Sequence, residues 1–246
     1  MIAYIAEIIP ISFSDYPKEP CCVIFFSGCN FDCGYCQNWK IKKQSEEHAI
    51  DIEKIKEIIS KNNLITACKI SGGEPLLQLE ALLEIGNFVK SLGLKFGIDT
   101  NGSMPNALKK AISLLDLISI DIKAPLKMER YAKITGLSNP PLSSIIESLK
   151  IAIQSNAYLD VRIVVIPGFN DSIEDVKSIV KVLKELGYEN RSSKSSFTLM
   201  EFVPENAHRE EFRKLSNTSL KNLMDLASSI ELSNVKIYHR AFPITL

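Results

Sequence analysis

The residues in this sequence with the clearest chemical potential are three cysteines spaced C-x3-C-x2-C, namely Cys29, Cys33 and Cys36. Three thiolates held close together bind iron–sulfur iron or zinc. A closed structural zinc site uses four ligands, and the nearest candidate for a fourth is His48, which nothing else marks as a ligand. A [4Fe-4S] cluster held by three thiolates instead leaves one iron open to a substrate. The triplet favours such an open cluster, with zinc or unligated thiols as the alternatives.

The remaining cysteines, Cys21, Cys22 and Cys68, lie on or beside segments with the pattern of buried strands. The chain has 246 residues, of which 46% are hydrophobic, so it can form a large core and does not need the disulfides that stabilise small proteins. We therefore expect these three cysteines to be buried, unreactive thiols.

Charge and hydropathy narrow the class of protein. The sequence has 29 Lys and Arg against 29 Asp and Glu, so it lacks the basic excess typical of proteins that bind nucleic acid. Its start has neither a basic region nor a cleavage site typical of a secretory signal, and no run of apolar residues is long enough to span a membrane. We expect a cytoplasmic protein without membrane or nucleic-acid partners.

A second motif, SGGEP at residues 71–75, follows a predicted strand. Two glycines allow backbone to approach a ligand closely, and the carboxylate of Glu74 can accept hydrogen bonds from an ammonium group. The alternative is a tight turn from strand to helix, with Glu74 at the positive end of the helix dipole. By itself the motif does not decide between them.

Strand and helix patterns alternate along the chain, which indicates a parallel sheet with right-handed crossovers. Strands are predicted at 3–9, 21–27, 67–71, 95–99, 117–122, 159–166, 196–202 and 235–238. Helices are predicted at 52–59, 82–92, 105–114, 142–155, 172–186 and 215–230. The pattern fits an open sheet or a barrel. In either case the functional groups gather at the carboxyl ends of the strands, where both motifs lie.

The cysteine triplet with Tyr35 before its last cysteine, followed by GGEP after the next strand of the alternation, resembles the radical S-adenosylmethionine (SAM) superfamily. The resemblance implies a [4Fe-4S] cluster whose open iron binds the methionine amino and carboxylate groups of SAM. It also implies an α/β fold, the partial (β/α)6 barrel of the radical SAM type. We expect one such domain over residues 1–246, with short N-terminal and C-terminal extensions.

A narrower resemblance extends over nearly the whole chain. FSDYP at 13–17, GCNFDCGYCQN at 28–38, ISGGEPLLQ at 70–78, DTNG at 99–102, DIKAP at 121–125 and RIVVIPGFND at 162–171 are similar to the glycyl-radical-enzyme activases, above all to those serving anaerobic ribonucleotide reductase. This implies reductive cleavage of SAM to a 5′-deoxyadenosyl radical, which installs a glycyl radical on a partner enzyme. A flavodoxin or ferredoxin would supply the electron.

The resemblance also implies residue roles. Cys29, Cys33 and Cys36 would hold the cluster. Residues implied near the adenine are Tyr35 and Gln37, and those near the methionine amino group are Gly72, Gly73 and Glu74. Residues implied to hold a monovalent cation beside the methionine carboxylate are Asp99, Thr100 and Asp121. Others implied in the same pocket are Asn101, Lys123 and Arg162.

Some of these assignments have structural alternatives. Asp99 and Asp121 could cap helices after their strands, and Arg162 could pair with an acid inside the barrel. Many activases have a histidine after the sixth strand, whereas here the segment is FVP at 202–204 and the nearest histidine is His208, which we leave unassigned. We expect His208, like the other two histidines, at the surface.

Two other functions remain open at this stage. The chain could be a radical SAM enzyme acting on another glycyl radical enzyme, a small molecule or RNA, because the motifs are shared across the superfamily. It could also be a non-catalytic zinc-binding protein.

Overall fold

The structure is a computed structural model that describes residues 1–240 and 242–245. Within these residues, ten strands form one sheet in the order β10-β9-β8-β7-β6-β5-β4-β2-β1-β3. The strands are β1 (Ile2–Ser12), β2 (Cys21–Phe26), β3 (Ala49–Asp51), β4 (Ala67–Gly72), β5 (Lys95–Thr100), β6 (Leu117–Asp121), β7 (Tyr158–Val165), β8 (Ser195–Glu201), β9 (Val235–His239) and β10 (Phe242–Thr245). The helices are α1 (Ile52–Ser60), α2 (Leu79–Ser91), α3 (Pro105–Ala111), α4 (Met128–Thr135), α5 (Leu142–Gln154), α6 (Ile173–Glu185), α7 (Glu210–Arg213) and α8 (Leu220–Ser228).

Strands β2 and β4 to β9 pair in parallel, whereas β1, β3 and β10 pair antiparallel at the two edges. The order ends in β10 and β3, so the sheet does not close on itself. This confirms the predicted partial barrel. The strand predicted at 235–238 adds a seventh parallel member, β9.

Alternation along each strand separates two packing environments. Outward residues such as Cys22, Ile24 and Ile70 pack with the helices in the main core. The inner face, defined here as the face of the parallel strands that carries Ala67, Lys69 and Ser71 on β4, holds a smaller apolar cluster and many polar side chains. The predicted burial of the three cysteines outside the triplet is confirmed, because all are 0% exposed.

The region after β8 differs from the sequence prediction. The helix predicted at 215–230 is shorter, because α8 begins only after Ser219, whose hydroxyl accepts a hydrogen bond from Asn222 N–H at 3.1 Å. Before it, Asn217 donates to Glu201 and Thr218 accepts from Phe202 N–H, so these side chains bind β8 and the residue after it instead of extending the helix. Helix α4 and strand β3 were not predicted.

No helix among the described residues is long and apolar enough to cross a membrane. The prediction of a single domain over 1–246 stays a prediction, and two of its residues, Ala241 and Leu246, lie outside the described part of the chain.

Candidate active site

The cysteine loop, residues 28–38, follows β2 directly and is fixed by backbone hydrogen bonds. Gly28 N–H donates to the Ile41 carbonyl at 2.8 Å, and Cys29 N–H donates to the Lys42 carbonyl at 2.9 Å. On its far side the loop contacts the end of α4, where Gly34 N–H donates to the Ile134 carbonyl at 3.2 Å. The loop is therefore held from both sides before any ligand binds.

The three cysteines of the loop line one cavity of about 380 Å³. Burial raises the pKa of Cys29 to about 11 and that of Cys33 to about 12, so both are neutral thiols in the metal-free protein. Phe31 N–H donates to Cys29 Sγ at 3.4 Å, a contact that stabilises a thiolate once metal binding has removed the proton. These residues fit an iron–sulfur cluster.

The spacing of the ligands bears on the choice between cluster and zinc. Among the described residues, no three His, Cys, Asp or Glu side chains are placed to hold one metal ion. Thiolates around a single zinc must converge on one point, whereas in a [4Fe-4S] cluster each thiolate binds a different iron. The three cysteines share one cavity wall, which fits a cluster whose irons each take one thiolate.

The two glycines of SGGEP bring the end of β4 against the cysteine loop. Gly72 has φ +117°, a backbone conformation that residues with a side chain rarely adopt. A Cβ on Gly73 would lie 2.0 Å from the Gly28 carbonyl oxygen. Glu74 N–H donates to that same oxygen at 2.8 Å. Both positions must therefore be glycine, because the backbone at the end of β4 packs directly against the backbone that carries Cys29.

Glu74 is fully buried, and burial raises its pKa to about 7 although three donors favour its charged form. Its carboxylate accepts from Leu76 N–H at 3.1 Å, Thr100 Oγ1 at 2.9 Å and Asn101 N–H at 2.7 Å. Glu74 therefore caps the turn after β4 and ties it to the end of β5. It does not line the cavity, and its contact with the SAM amino group stays a prediction.

Replacing Glu74 by glutamine is expected to destabilise the fold by about 1–3 kcal/mol, because an amide turns an N–H group toward donors that then lose their acceptor. Thermal and denaturant unfolding would measure it. Glu84→Gln is the matched control, because Glu84 is an exposed partner of Lys56 and loss of an exposed ion pair is expected to leave stability nearly unchanged. Equal stability of the two variants would contradict the assigned role.

Charged side chains of the inner face form pairs below and beside the cavity. Asp99 Oδ1 lies 2.7 Å from Lys69 Nζ and 3.1 Å from Arg162 Nη1. Although burial disfavours its charge, these two cations lower the pKa of Asp99 to about 2. Arg162 Nε also lies 2.7 Å from Asp160 Oδ2. Arg162 therefore pairs with acids inside the barrel, as in the structural alternative to its predicted role in the pocket.

The cavity wall itself carries a second pair, in which Lys123 Nζ lies 2.9 Å from Asp121 Oδ2. The same ammonium group lies 5.9 Å from the centroid of the Tyr35 ring. Burial opposes the charge of Lys123, but the neighbouring Asp121 keeps its pKa well above the usual value. The wall therefore offers one anion, one cation and one aromatic face within a short distance.

Most of the sequence-predicted site residues meet at this cavity. Those that line it are Cys29, Cys33, Tyr35, Cys36, Gln37, Gly72, Gly73, Asp99, Asn101, Asp121 and Lys123. Those that do not are Glu74, Thr100 and Arg162. The Thr100 hydroxyl is engaged by Glu74, so the monovalent cation predicted at Asp99, Thr100 and Asp121 stays a prediction.

The structure shows contacts of two histidines that the sequence did not identify, and one of the two lies in the cavity wall. His208, expected at the surface, lines the cavity and stacks on Trp39 with ring centroids 5.3 Å apart. His239 is also only 17% exposed, with Nε2 3.5 Å from Glu201 Oε2. The sequence did not predict these contacts, because the polar neighbours of the two histidines along the chain gave no sign of contacts with distant segments.

Comparisons with known proteins agree with this geometry. The profile of the radical SAM superfamily matches residues 23–183. A radical SAM methyltransferase from Sphaerobacter thermophilus has a similar fold, with a TM-score of 0.69 at 14% identity, covering 92% of this chain and 68% of that one. Fold, cysteine loop and profile together define a radical SAM enzyme, which uses a [4Fe-4S] cluster and SAM.

Two relatives narrow the assignment. A provisionally named glycyl-radical enzyme activating enzyme of Methanocaldococcus jannaschii is 30% identical over 92% of this chain and 91% of its own length. A pyruvate formate-lyase-activating enzyme of Listeria monocytogenes is 31% identical over 67% of this chain and 69% of its own. The chain belongs to the radical SAM superfamily, in the family of glycyl-radical-enzyme activating enzymes.

Proposed function

We propose that this protein activates an anaerobic ribonucleotide reductase by installing a glycyl radical on it. The observation that carries the proposal is that the cysteine loop and the ends of β4, β5 and β6 line one cavity. The sequence motifs shared with activases occupy these positions, and the relatives described above support activation of a glycyl radical enzyme. The choice of reductase rests on the resemblance of the motifs alone.

Within this proposal, Cys29, Cys33 and Cys36 hold the cluster. When bound, the cluster would supply the electron that cleaves SAM into methionine and a 5′-deoxyadenosyl radical, and that radical would take a hydrogen atom from the partner's glycine to give 5′-deoxyadenosine. A flavodoxin or ferredoxin in the cytoplasm is the proposed electron donor. The thiols lie in the cavity wall, close to where the substrate must bind.

The chain's own residues bind and orient SAM. Asp121 and Lys123 present opposite charges to a ligand that carries both an ammonium and a carboxylate group. Tyr35, which is 8% exposed, offers a ring face beside them. Apolar side chains complete the wall and limit access of water to a reactive intermediate. They are Phe31, Val164, Met200, Phe202 and Val203.

The open sheet gives a partner loop a way to enter. A glycine in the backbone of a large enzyme can react only if its loop enters the barrel. The sheet ends in β3 and β10, which do not pair with each other, and we propose that the partner loop enters between these two edges. This supports a protein substrate that binds transiently.

The proposal predicts a glycyl radical signal in the partner. The reconstituted protein would be mixed anaerobically with SAM, a reductant and the anaerobic ribonucleotide reductase of the same genome. Electron paramagnetic resonance should then detect a glycyl radical, and a reductase with that glycine replaced by alanine should give none. If 5′-deoxyadenosine forms but this and every other glycyl radical enzyme of the genome stay silent, the substrate is instead a small molecule or RNA.

A further inference from the structure

Lys69 is a buried lysine whose role the proposed function does not explain. It lies in the middle of β4 on the inner face, its side chain is 1% exposed, and it does not line the cavity. An isolated ammonium group at such a position is costly, and an apolar residue of the same length often stabilises a core as well as an ion pair does. A lysine here therefore calls for a reason other than stability.

The ammonium group of Lys69 joins two distant parts of the chain. It lies 2.7 Å from Asp99 Oδ1, on the cavity side of the inner face. It also donates a hydrogen bond to the backbone carbonyl of Asp15 at 2.8 Å. Asp15 belongs to the FSDYP segment at 13–17, which we name the N-terminal plug.

The N-terminal plug packs against the inner face at the amino-terminal ends of the strands. Tyr16 is 5% exposed and packs with Cys21, Val23, Ala67 and Leu117. Residues 67 and 117 begin β4 and β6, whereas the cavity lies at the carboxyl ends of the same strands. Lys69 thus spans the interior between the plug and the cavity.

The plug is itself held in place. A Cβ on Gly97 of β5 would lie 3.0 Å from the Tyr16 ring, so the ring occupies the space that the glycine leaves. The Asp15 carboxylate accepts a hydrogen bond from the Ser12 hydroxyl. The carbonyl that receives Lys69 is therefore a fixed point, and an ammonium group bound to it is fixed in turn.

Asp99 is held from two sides. Lys69 reaches it from β4, and Arg162 Nη1 reaches the same oxygen from β7 at 3.1 Å. Arg162 is also bound to Asp160, so on its own it would draw the Asp99 carboxylate toward β7. Lys69 supplies the opposing contact.

We propose that Lys69 is a positioning residue that fixes the Asp99 carboxylate at the floor of the SAM cavity by linking it to the N-terminal plug. The proposal rests on the SAM site of the proposed function, but not on the identity of the partner enzyme. It also gives the FSDYP motif a role, as the anchor at the far end of the link.

A double-mutant cycle tests this proposal. Lys69→Met, Asp99→Asn and the double variant would be reconstituted with iron and sulfide, and the dissociation constant for SAM measured well below each melting temperature. We expect Lys69→Met to weaken SAM binding about tenfold and Asp99→Asn to weaken it by a similar factor. The double variant should bind no more weakly than Asp99→Asn alone, because Lys69 acts only through Asp99.

Lys95→Met is the matched control. Lys95 also pairs with a carboxylate, that of Glu19, but this pair lies outside the plug and outside the link from Lys69 to Asp99. We expect SAM affinity to stay within twofold of the parent protein. If Lys69→Met does not fold, Lys69→Gln enters the same cycle, since its amide can still donate to the Asp15 carbonyl without the charge.

A second measurement is independent of catalysis. Amide hydrogen exchange in residues 12–18 should slow when SAM binds to the parent protein, and this protection should disappear in Lys69→Met. Additive effects on SAM affinity, unchanged affinity in Lys69→Met, or plug exchange that ignores SAM would each overturn the proposal. None of these measurements needs a partner, so a missing glycyl radical would refute the proposed function and leave the role of Lys69 standing.

Discussion

Replacing Cys33 by serine is expected to abolish SAM cleavage. Cys33 is 8% exposed and lies in the middle of the cysteine loop, between two cysteines that line the same cavity. With only two thiolates left, the cluster loses one of three protein ligands, and a serine hydroxyl is a poor substitute for a soft sulfur ligand. We expect 5′-deoxyadenosine formation to fall by about three orders of magnitude or more, as for removal of a group essential to catalysis.

Iron content, cluster absorbance and 5′-deoxyadenosine report the cluster and its activity, and circular dichroism with thermal unfolding shows that the fold is kept. Cys68→Ala is the matched control, because Cys68 is also a buried thiol but lies on the helix-facing side of β4, in the main core. It is expected to cost about 1 kcal/mol of stability and to keep its iron. A Cys33→Ser protein that retained full iron and normal turnover would remove the cysteine loop from the active site.

The sequence predicted those parts of the site that are short motifs at the ends of strands. The cysteine loop and SGGEP each sit at the end of a strand, so strand periodicity alone placed them at one edge of the sheet. Asp99 and Asp121 were assigned to the site by the resemblance to the activases, and both lie at the ends of strands. Their meeting at one cavity required only that neighbouring parallel strands end together.

Contacts across several strands could not be predicted in the same way. Lys69 is a single charge in an apolar strand, and its partners Asp15 and Asp99 lie on other elements. Whether it faced the helices or the interior depended on a one-residue register. The stacking of His208 on Trp39 likewise joins the segment after β8 to the segment after the cysteine loop, and no periodicity connects them.

The carboxylate of Glu74 shows how a motif can be placed correctly while the orientation of its side chain stays open. The sequence allowed either an ammonium-binding carboxylate or a turn cap. The side chain is committed to Leu76, Thr100 and Asn101. Only the position of the next strand, which brings the donors of Thr100 and Asn101 to it, distinguishes these alternatives.

Replacing Gly73 by alanine is expected to disrupt the site nearly as severely as loss of a cysteine. The added methyl group would lie 2.0 Å from the Gly28 carbonyl oxygen and 3.2 Å from Cys29 Cβ. The first neighbour is a backbone atom of the cysteine loop and the second is the first side-chain atom of Cys29, so neither can rotate away. The loop itself must move, and the hydrogen bond from Glu74 N–H to Gly28 must lengthen or break.

We therefore expect Gly73→Ala to lose about 3 kcal/mol of stability and most of its capacity to assemble the cluster, measured by unfolding and by iron content after reconstitution. Gly93→Ala is the control, because a Cβ there meets nothing within 4 Å and only its φ of +74° opposes alanine, at a cost of about 1 kcal/mol. It should take up iron normally. If Gly73→Ala assembled the cluster as fully as Gly93→Ala, the close contact between the two backbone segments would not be what positions Cys29. The glycine at position 73 would then have to be explained by the ligand instead.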